Sequence, residues 1–446
     1  MRTVITGGTV IAGPDALAAT AVTLDGGHIH TIDPRPPEDA DVRLDAAGCV
    51  VLPGLINCHT HGVTPGPLFP SGAAALPEDG WLGNLDRHLL AGTTTVLNLC
   101  GLATMDEVRT ADRAHAVKVK GATTHTPAAM AAAQAADGAG LTEAHLTTSV
   151  EKQLADGAVA IGELGGGQTM GGGGQDLQYI PAAIHRETGV TISAEQARTL
   201  KEAVLGPRLD GDLDEPSLKE ALAAAGLAGF SAQTAAKLVR ESVLPSFHAA
   251  LDGLREGVEA AAKYGVPALV HSAAASGKPL LELARKQLGA SVIATHSNHP
   301  SYSPGEAVET ALALQSEGWL LECCTFDLLH RQHTVRTREH WDRMFAETAV
   351  DLLATDYGYL GQHDPLLSGV ADLVASGHRS LPAAVALASA NVADAIPGLA
   401  PNSGRLRPGM AADVVVASED LREVRHVFVD GIQVVRDGQL TLAARR

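Results

Sequence analysis

A chain of 446 residues, 45% apolar and 19% charged, is too long for one small core and has ordinary globular composition, which excludes a disordered protein. Its formal charge of −18 argues against nucleic acid or an anionic membrane as partner, because phosphate binding needs a basic field. Aromatic residues make up only 3%, so the core must be built from Ala, Val and Leu.

The chain opens on MRTVITGGTVIAG, which lacks the roughly 7 to 15 residue apolar core of a leader. No uninterrupted apolar stretch approaches the roughly 20 residues of a membrane helix. The expectation is a soluble, cytoplasmic protein with no membrane partner. Residues 2–50 carry short strand patterns with turns: TVITGGTVI, AVTLDGGHIHTI and VRLDAAGCVVL. The second contains an H-x-H pair, His28 and His30. It follows a DGG turn and has no partner donors at equivalent strand ends, so it reads as an exposed hairpin face.

From VVLPGLIN (50–57) the pattern changes. Apolar strand-like runs recur at 93–99, 116–124, 157–164, 265–272, 291–297, 318–325 and 349–356, with Ala-rich helical patterns between most of them. SPGEAVETALALQSEG (303–318), with Pro near its start and Gly at its stop, is one such helix. Eight apolar strands separated by helices predict a parallel sheet covered on its outer face, and eight strands close a (β/α)8 barrel. The gap at 165–264 is too long for one helix. It begins GGGQTMGGGGQD, which lacks GK[ST] and reads as a flexible connection rather than a nucleotide cradle. SAEQARTLKEAVLG, SLKEALAAAGLAG and SAQTAAKLVRESV then predict a helical insertion after strand four, about residues 175–255. A lid and plain packing against the barrel both remain open for it.

Strand patterns return in AADVVVAS and VRHVFVDGIQVV. Neither terminal cluster can bury a sheet face alone, so the two are expected to pair. The predicted organisation is an α/β protein: a small β-sandwich from residues 1–52 and 403–446, and a (β/α)8 catalytic barrel over 53–402. Five cysteines, Cys49, Cys58, Cys100, Cys323 and Cys324, lack C-x-x-C spacing and read as reduced, core-packed thiols of a cytosol.

Placed on these strands, the polar residues converge. His59 and His61 fall at the end of the first, Glu163 near the end of the fourth, His271 of the fifth, His296 of the sixth and Asp356 of the eighth. Residues i and i+2 of a strand share a face, about 6 to 7 Å apart, so His59 and His61 can turn together toward one ion while Thr60 points away. Reacting centres of such barrels lie where the strands end. The set, rather than any single H-x-H, carries the information.

VLPGLINCHTHG, IGEL, LVHS, ATHSNH, LATD and the closing SGRLRPGMAADVVV with VRHVFVDGIQVVRDG resemble the amidohydrolase superfamily, whose members join a metal-dependent (β/α)8 barrel to a β-sandwich built from both termini. The resemblance spans nearly the whole chain and is weakest in the insertion. It implies a first metal on His59, His61 and Asp356 and a second on His271 and His296. Where many members place a carboxylated lysine on the fourth strand, this chain has Glu163. A Glu can bridge two cations, as in the branch with isoaspartyl dipeptidases and enamidase-like enzymes; members with a single metal need no bridge.

Imidazole and carboxylate suit Zn²⁺, Fe²⁺, Mn²⁺ and Co²⁺ alike, and family habit favours zinc. The resemblance implies hydrolysis of a C–N bond in a small amide, enamide or cyclic amide or imide by metal-activated hydroxide, with Asp356 as general base and then acid. His125 and His299 are candidate substrate contacts, while His330 and His333 read as ordinary loop or helix histidines. A deaminase is the rival enzyme reading, but deaminases of the superfamily carry a Glu a few positions after the strand-five His, and here SAAASGKP follows His271. A metal-free scaffold of the same fold would lack donors. The expected partner is a small molecule, and family analogy implies a homo-oligomer.

Overall fold

Eight parallel strands run in chain order around the barrel: Leu55–Thr60, Thr93–Asn98, Lys118–Thr123, Ala160–Leu164, Ala268–His271, Val292–Thr295, Leu320–Cys324 and Leu352–Ala354. The computed structural model describes every residue except 14–15, 18–19, 36, 167–168, 171–173, 326–337 and 357–365; His330 and His333 lie outside the described residues. Strand eight is tied back to strand one by Asp356 N–H and Thr355 Oγ1, both donating to His59 O at 3.0 and 3.2 Å, and Asn57 Nδ2 donates to Thr355 Oγ1 at 2.6 Å. The barrel interior is filled by Ile56, Leu97, Ala122, Ala160, Leu269, Ile293 and Leu352, with Val392, Ile396 and Leu399 from the chain after the eighth strand. It is a packed core of small and aliphatic side chains, so chemistry is confined to the rim.

The first apolar run divides where continuous patterning gives no warning. Cys49–Pro53 is a strand of the terminal sheet, and the barrel strand starts only at Leu55. Gly54 is the break: a Cβ there would meet Thr94 Oγ1 at 2.2 Å, so only glycine lets the chain pass from one sheet into the other.

Both ends of the chain meet in one seven-stranded sheet, because Val414–Ser418 pairs antiparallel with Cys49–Pro53, Val416 opposite Val51. A four-stranded N-terminal sheet packs over it, with Ile5, Val10, Leu24, Val51, Val414 and Phe428 buried between the two. Buried Asp413 fastens this unit to the barrel: Lys118 Nζ on strand three lies 2.9 Å from its carboxylate, and Ser403 Oγ donates to it at 2.6 Å. His28 and His30 sit exposed on an edge strand of the four-stranded sheet and belong to no clustered donor group among the described residues.

The helix anticipated at 303–318 runs Pro304–Ser316, started by a Ser303/Glu306 capping box. After strand four come a short π-helical turn (Gln175–Tyr179) and helices Ile180–Thr188, Ala194–Leu205, Glu215–Ala224 and Ala232–Tyr264. The last is 33 residues long. Its C-terminal half is the barrel's own helix between strands four and five: Gly257 abuts Leu164 of strand four, and Gly253 abuts Ala129 of the helix Pro127–Ala136. Its N-terminal half continues outward into the insertion, so one rod serves both.

Candidate metal centre

Six side chains from five strand ends reach the same point. His59 ends strand one and His61 follows it; their rings stand 5.4 Å apart, while Thr60 turns away and bonds Leu97 O. His271 closes strand five, and its ring lies 4.7 Å from that of His296. His296 and Asp356 each follow a strand at φ 53° and 56°. That left-handed conformation costs an L-residue roughly 1 kcal/mol or more and is kept only where surroundings enforce it. Here the enforcing bonds are His299 N–H to His296 O (2.7 Å) and Asp356 N–H to His59 O (3.0 Å). Each turn aims a donor inward.

Glu163 stands between the two pairs of imidazoles. Its Oε1 is 2.6 Å from His271 Nδ1, 3.7 Å from His59 Nε2 and 3.9 Å from His296 Nε2, and its Oε2 is 3.9 Å from His61 Nε2. Asp356 also spans them: Oδ1 lies 3.0 Å from His61 Nε2 and 3.4 Å from His59 Nε2, and Oδ2 lies 3.4 Å from His296 Nε2. Among the described residues three donor groups result: His59–His61–Glu163 and Glu163–His271–His296, which share the glutamate, and His59–His296–Cys324 beside them. The buried Nε2 atoms of His59 and His271 have no hydrogen-bond partner among the described residues. A buried polar atom is normally satisfied, so such orphans, collected around two carboxylates, fit divalent cations.

Burial opposes ionisation of Glu163, yet His271 and His59 outweigh it and hold the carboxyl well below the usual range. Asp356 is likewise depressed, burial being overcome by His296, His61 and His59. Its side chain keeps 23% exposure, whereas the other five keep 4% or less. On the Glu163 side the cavity is only about 20 Å³, bounded by Pro70, Thr124, Gly166 and Thr169. That is room for about one water, and Asp356 is the member of the six with the most solvent contact.

The two further histidines separate. His299 packs its ring 5.1 Å from His271 and 5.5 Å from His296, at the centre's edge. Its Nδ1 accepts the Ser301 backbone N–H at 3.1 Å, which leaves the proton of a neutral ring on Nε2. His125 does not join the group: it is buried, its Nδ1 is 2.9 Å from Thr123 Oγ1, and among the described residues it belongs to none of the clustered donor sets. Burial, reinforced by His145, pushes its pKa down to about 4.

Motif reading missed Glu322 on strand seven. Fully buried, it places Oε2 3.0 Å from His59 Nδ1 and Oε1 2.9 Å from Cys324 Sγ. The available signal was a lone carboxylate inside WLLECC. Asn298 was missed too; its amide exchanges two 2.9 Å bonds with the Cys324 backbone and pins the His296–His299 turn to strand seven.

A (β/α)8 barrel that gathers imidazoles and carboxylates at its carboxyl rim defines a metal-binding barrel by its donor set. The chain belongs to the amidohydrolase family, whose model matches residues 50–434, and members of that family are generally metal-dependent. Among curated proteins it is similar to imidazolonepropionase of Pseudomonas aeruginosa, 49% identical over 49 residues, which are 10% of this chain and 12% of that protein. It is also similar to 5-methylthioadenosine/S-adenosylhomocysteine deaminase of Syntrophobacter fumaroxidans, 46% identical over 66 residues, 14% and 15% of the two chains. These local matches span well under a fifth of either relative. The fold extends further: a β-aspartyl dipeptidase from Fervidobacterium islandicum superposes with TM-score 0.59 at 14% identity, covering 99% of this chain and 98% of that one. Among the described residues, no helix is long and apolar enough to cross a membrane.

Proposed function

We propose that the protein is a metal-dependent hydrolase that cleaves a C–N bond of a small amide, enamide or cyclic amide or imide. The observation that carries this reading is Glu163 lying within 3.9 Å of all four imidazoles, the position of a carboxylate bridging two cations. His59, His61 and Asp356 would hold one ion, His271 and His296 the other, with zinc the first choice for a nitrogen and oxygen donor set. Bound there, divalent ions supply a water acidified from 15.7 to roughly 7 and polarisation of the substrate carbonyl.

The chain's own residues do the rest. Asp356, the most exposed of the six, takes the proton of the attacking water and passes it to the leaving nitrogen. His299 presents Nε2–H at the rim as a donor to the substrate, and its tautomer is set by Ser301. His125, whose imidazole resists protonation, contacts Thr123 Oγ1 at the end of strand three and braces that strand end.

The local likeness to a deaminase favours a second reading, deamination of an aminoheterocycle. Against it, the acid needed to protonate a ring is missing after His271: residues 272–281 contain none, and Glu282 faces a cleft on the outer side between the insertion and the helices 274–284 and 304–316. The test is a metal-reconstituted screen against amides, cyclic imides, lactams and aminoheterocycles. Ring opening or amide cleavage supports the proposal; ammonia release from aminopurines or aminopyrimidines alone would replace it with the second reading.

A further inference from the structure

We infer that Glu322 is a positioning residue of this centre, acting through His59: it accepts the Nδ1–H of that imidazole and so turns the Nε2 lone pair toward the ion. The inference rests on the metal reading above and deepens it. Glu322 lies on strand seven with no exposed surface, and its Oε2 is 3.0 Å from His59 Nδ1. Its other oxygen accepts the Cys324 thiol at 2.9 Å, so both ends of the carboxylate are committed. On the far side of the same ring, Nε2 has no hydrogen-bond partner among the described residues and points at Glu163 and Asp356.

The residue type is the informative part. A hydrogen bond that merely ties strand seven to strand one could be made by Gln, Asn or Ser without burying a charge. A carboxylate in a dry barrel mouth is costly to bury unless a positive charge is near. Among the described residues neither Lys nor Arg forms an ion pair with Glu322; its one ion-pair partner is His59. A cation on His59 Nε2 supplies the missing charge through the ring, and a carboxylate behind the ring fixes its tautomer and makes it a stronger donor. Glu163, Asp356 and Glu322 together bring three carboxylates to the four imidazoles, so one divalent ion alone would leave the pocket negative.

The test compares zinc binding to the metal-stripped full chain by competition with a chromogenic chelator, alongside the urea midpoint of the metal-free protein. E322Q keeps the shape and the acceptor but removes the charge. It is expected to bind one zinc per chain about 10- to 100-fold more weakly than wild type, with an unchanged or higher metal-free midpoint. Equal zinc affinity with a lowered midpoint would show a structural tie only and overturn the inference. Should E322Q not fold, E322D is measured instead: weaker binding of one zinc supports the role, and wild-type affinity overturns it. Wild-type protein that binds no zinc would overturn the metal reading itself, an outcome distinct from wild type and E322Q binding it equally.

Discussion

Glu163 Oε1 lies 2.6 Å from His271 Nδ1, although 108 residues separate them in the chain. The same carboxylate group reaches toward His59, His61 and His296, so it belongs to neither donor pair alone. Replacing it by Gln or Ala should therefore release one ion more readily than the other. Elemental analysis after dialysis is expected to fall from two ions per chain toward one. Unchanged stoichiometry would remove Glu163 from the bridge.

Asp356 contacts three imidazoles through two oxygens and is the most exposed of the six. In D356N, turnover of whichever amide the wild type cleaves should drop about 10²- to 10⁴-fold, the usual worth of general acid–base catalysis. The thermal midpoint should stay close to wild type and most of the metal should remain. Turnover at the wild-type rate would assign the proton transfers to another group.

His125 gives a pH dependence of stability with a defined sign. In the unfolded chain its imidazole protonates near 6.5, whereas in the folded protein burial and His145 delay this to about 4. Between those values the unfolded state binds the extra proton, so stability is lost as pH falls through this window. The loss is on the order of 3 kcal/mol by pH 4. Urea unfolding of the metal-free protein at several pH values should show this slope, and H125Q should flatten it. A slope identical in H125Q would mean that other groups carry it.

Asp413 joins the terminal sheets to the barrel through Lys118 and Ser403, buried on its own side. Lys118 is part-exposed and keeps Asp430 at 2.7 Å as a partner, so D413N should cost about 1 to 3 kcal/mol, the worth of charge-assisted hydrogen bonds lost at a buried carboxylate. The denaturant midpoint should fall while zinc content stays at the wild-type level. Loss of metal in this variant would show that the sandwich, contrary to this account, controls the centre.

Strand-end logic brings the six side chains to one rim because a two-residue period and a closed parallel barrel leave few places for a polar side chain on an apolar strand. It could place His59, His61, Glu163, His271, His296 and Asp356 at one rim without any distance information. It failed for Glu322 because its partner, His59, is 263 residues away and only barrel closure puts strand seven's carboxylate behind that ring. The division of VVLPGLIN at Gly54 was equally hidden, since both halves are apolar and the break depends on Thr94 in the neighbouring strand. The long helix Ala232–Tyr264 blurred the insertion's end for a similar reason: its pattern is continuous, while the surface it packs on changes halfway.

Anomalous diffraction from crystals of the zinc-reconstituted protein, collected at the zinc edge, tests the account most directly. Two peaks about 3.5 to 4 Å apart are expected on either side of the Glu163 carboxylate, one beside His59, His61 and Asp356 and the other beside His271 and His296. Peaks elsewhere in the molecule, or none at this rim, would contradict it.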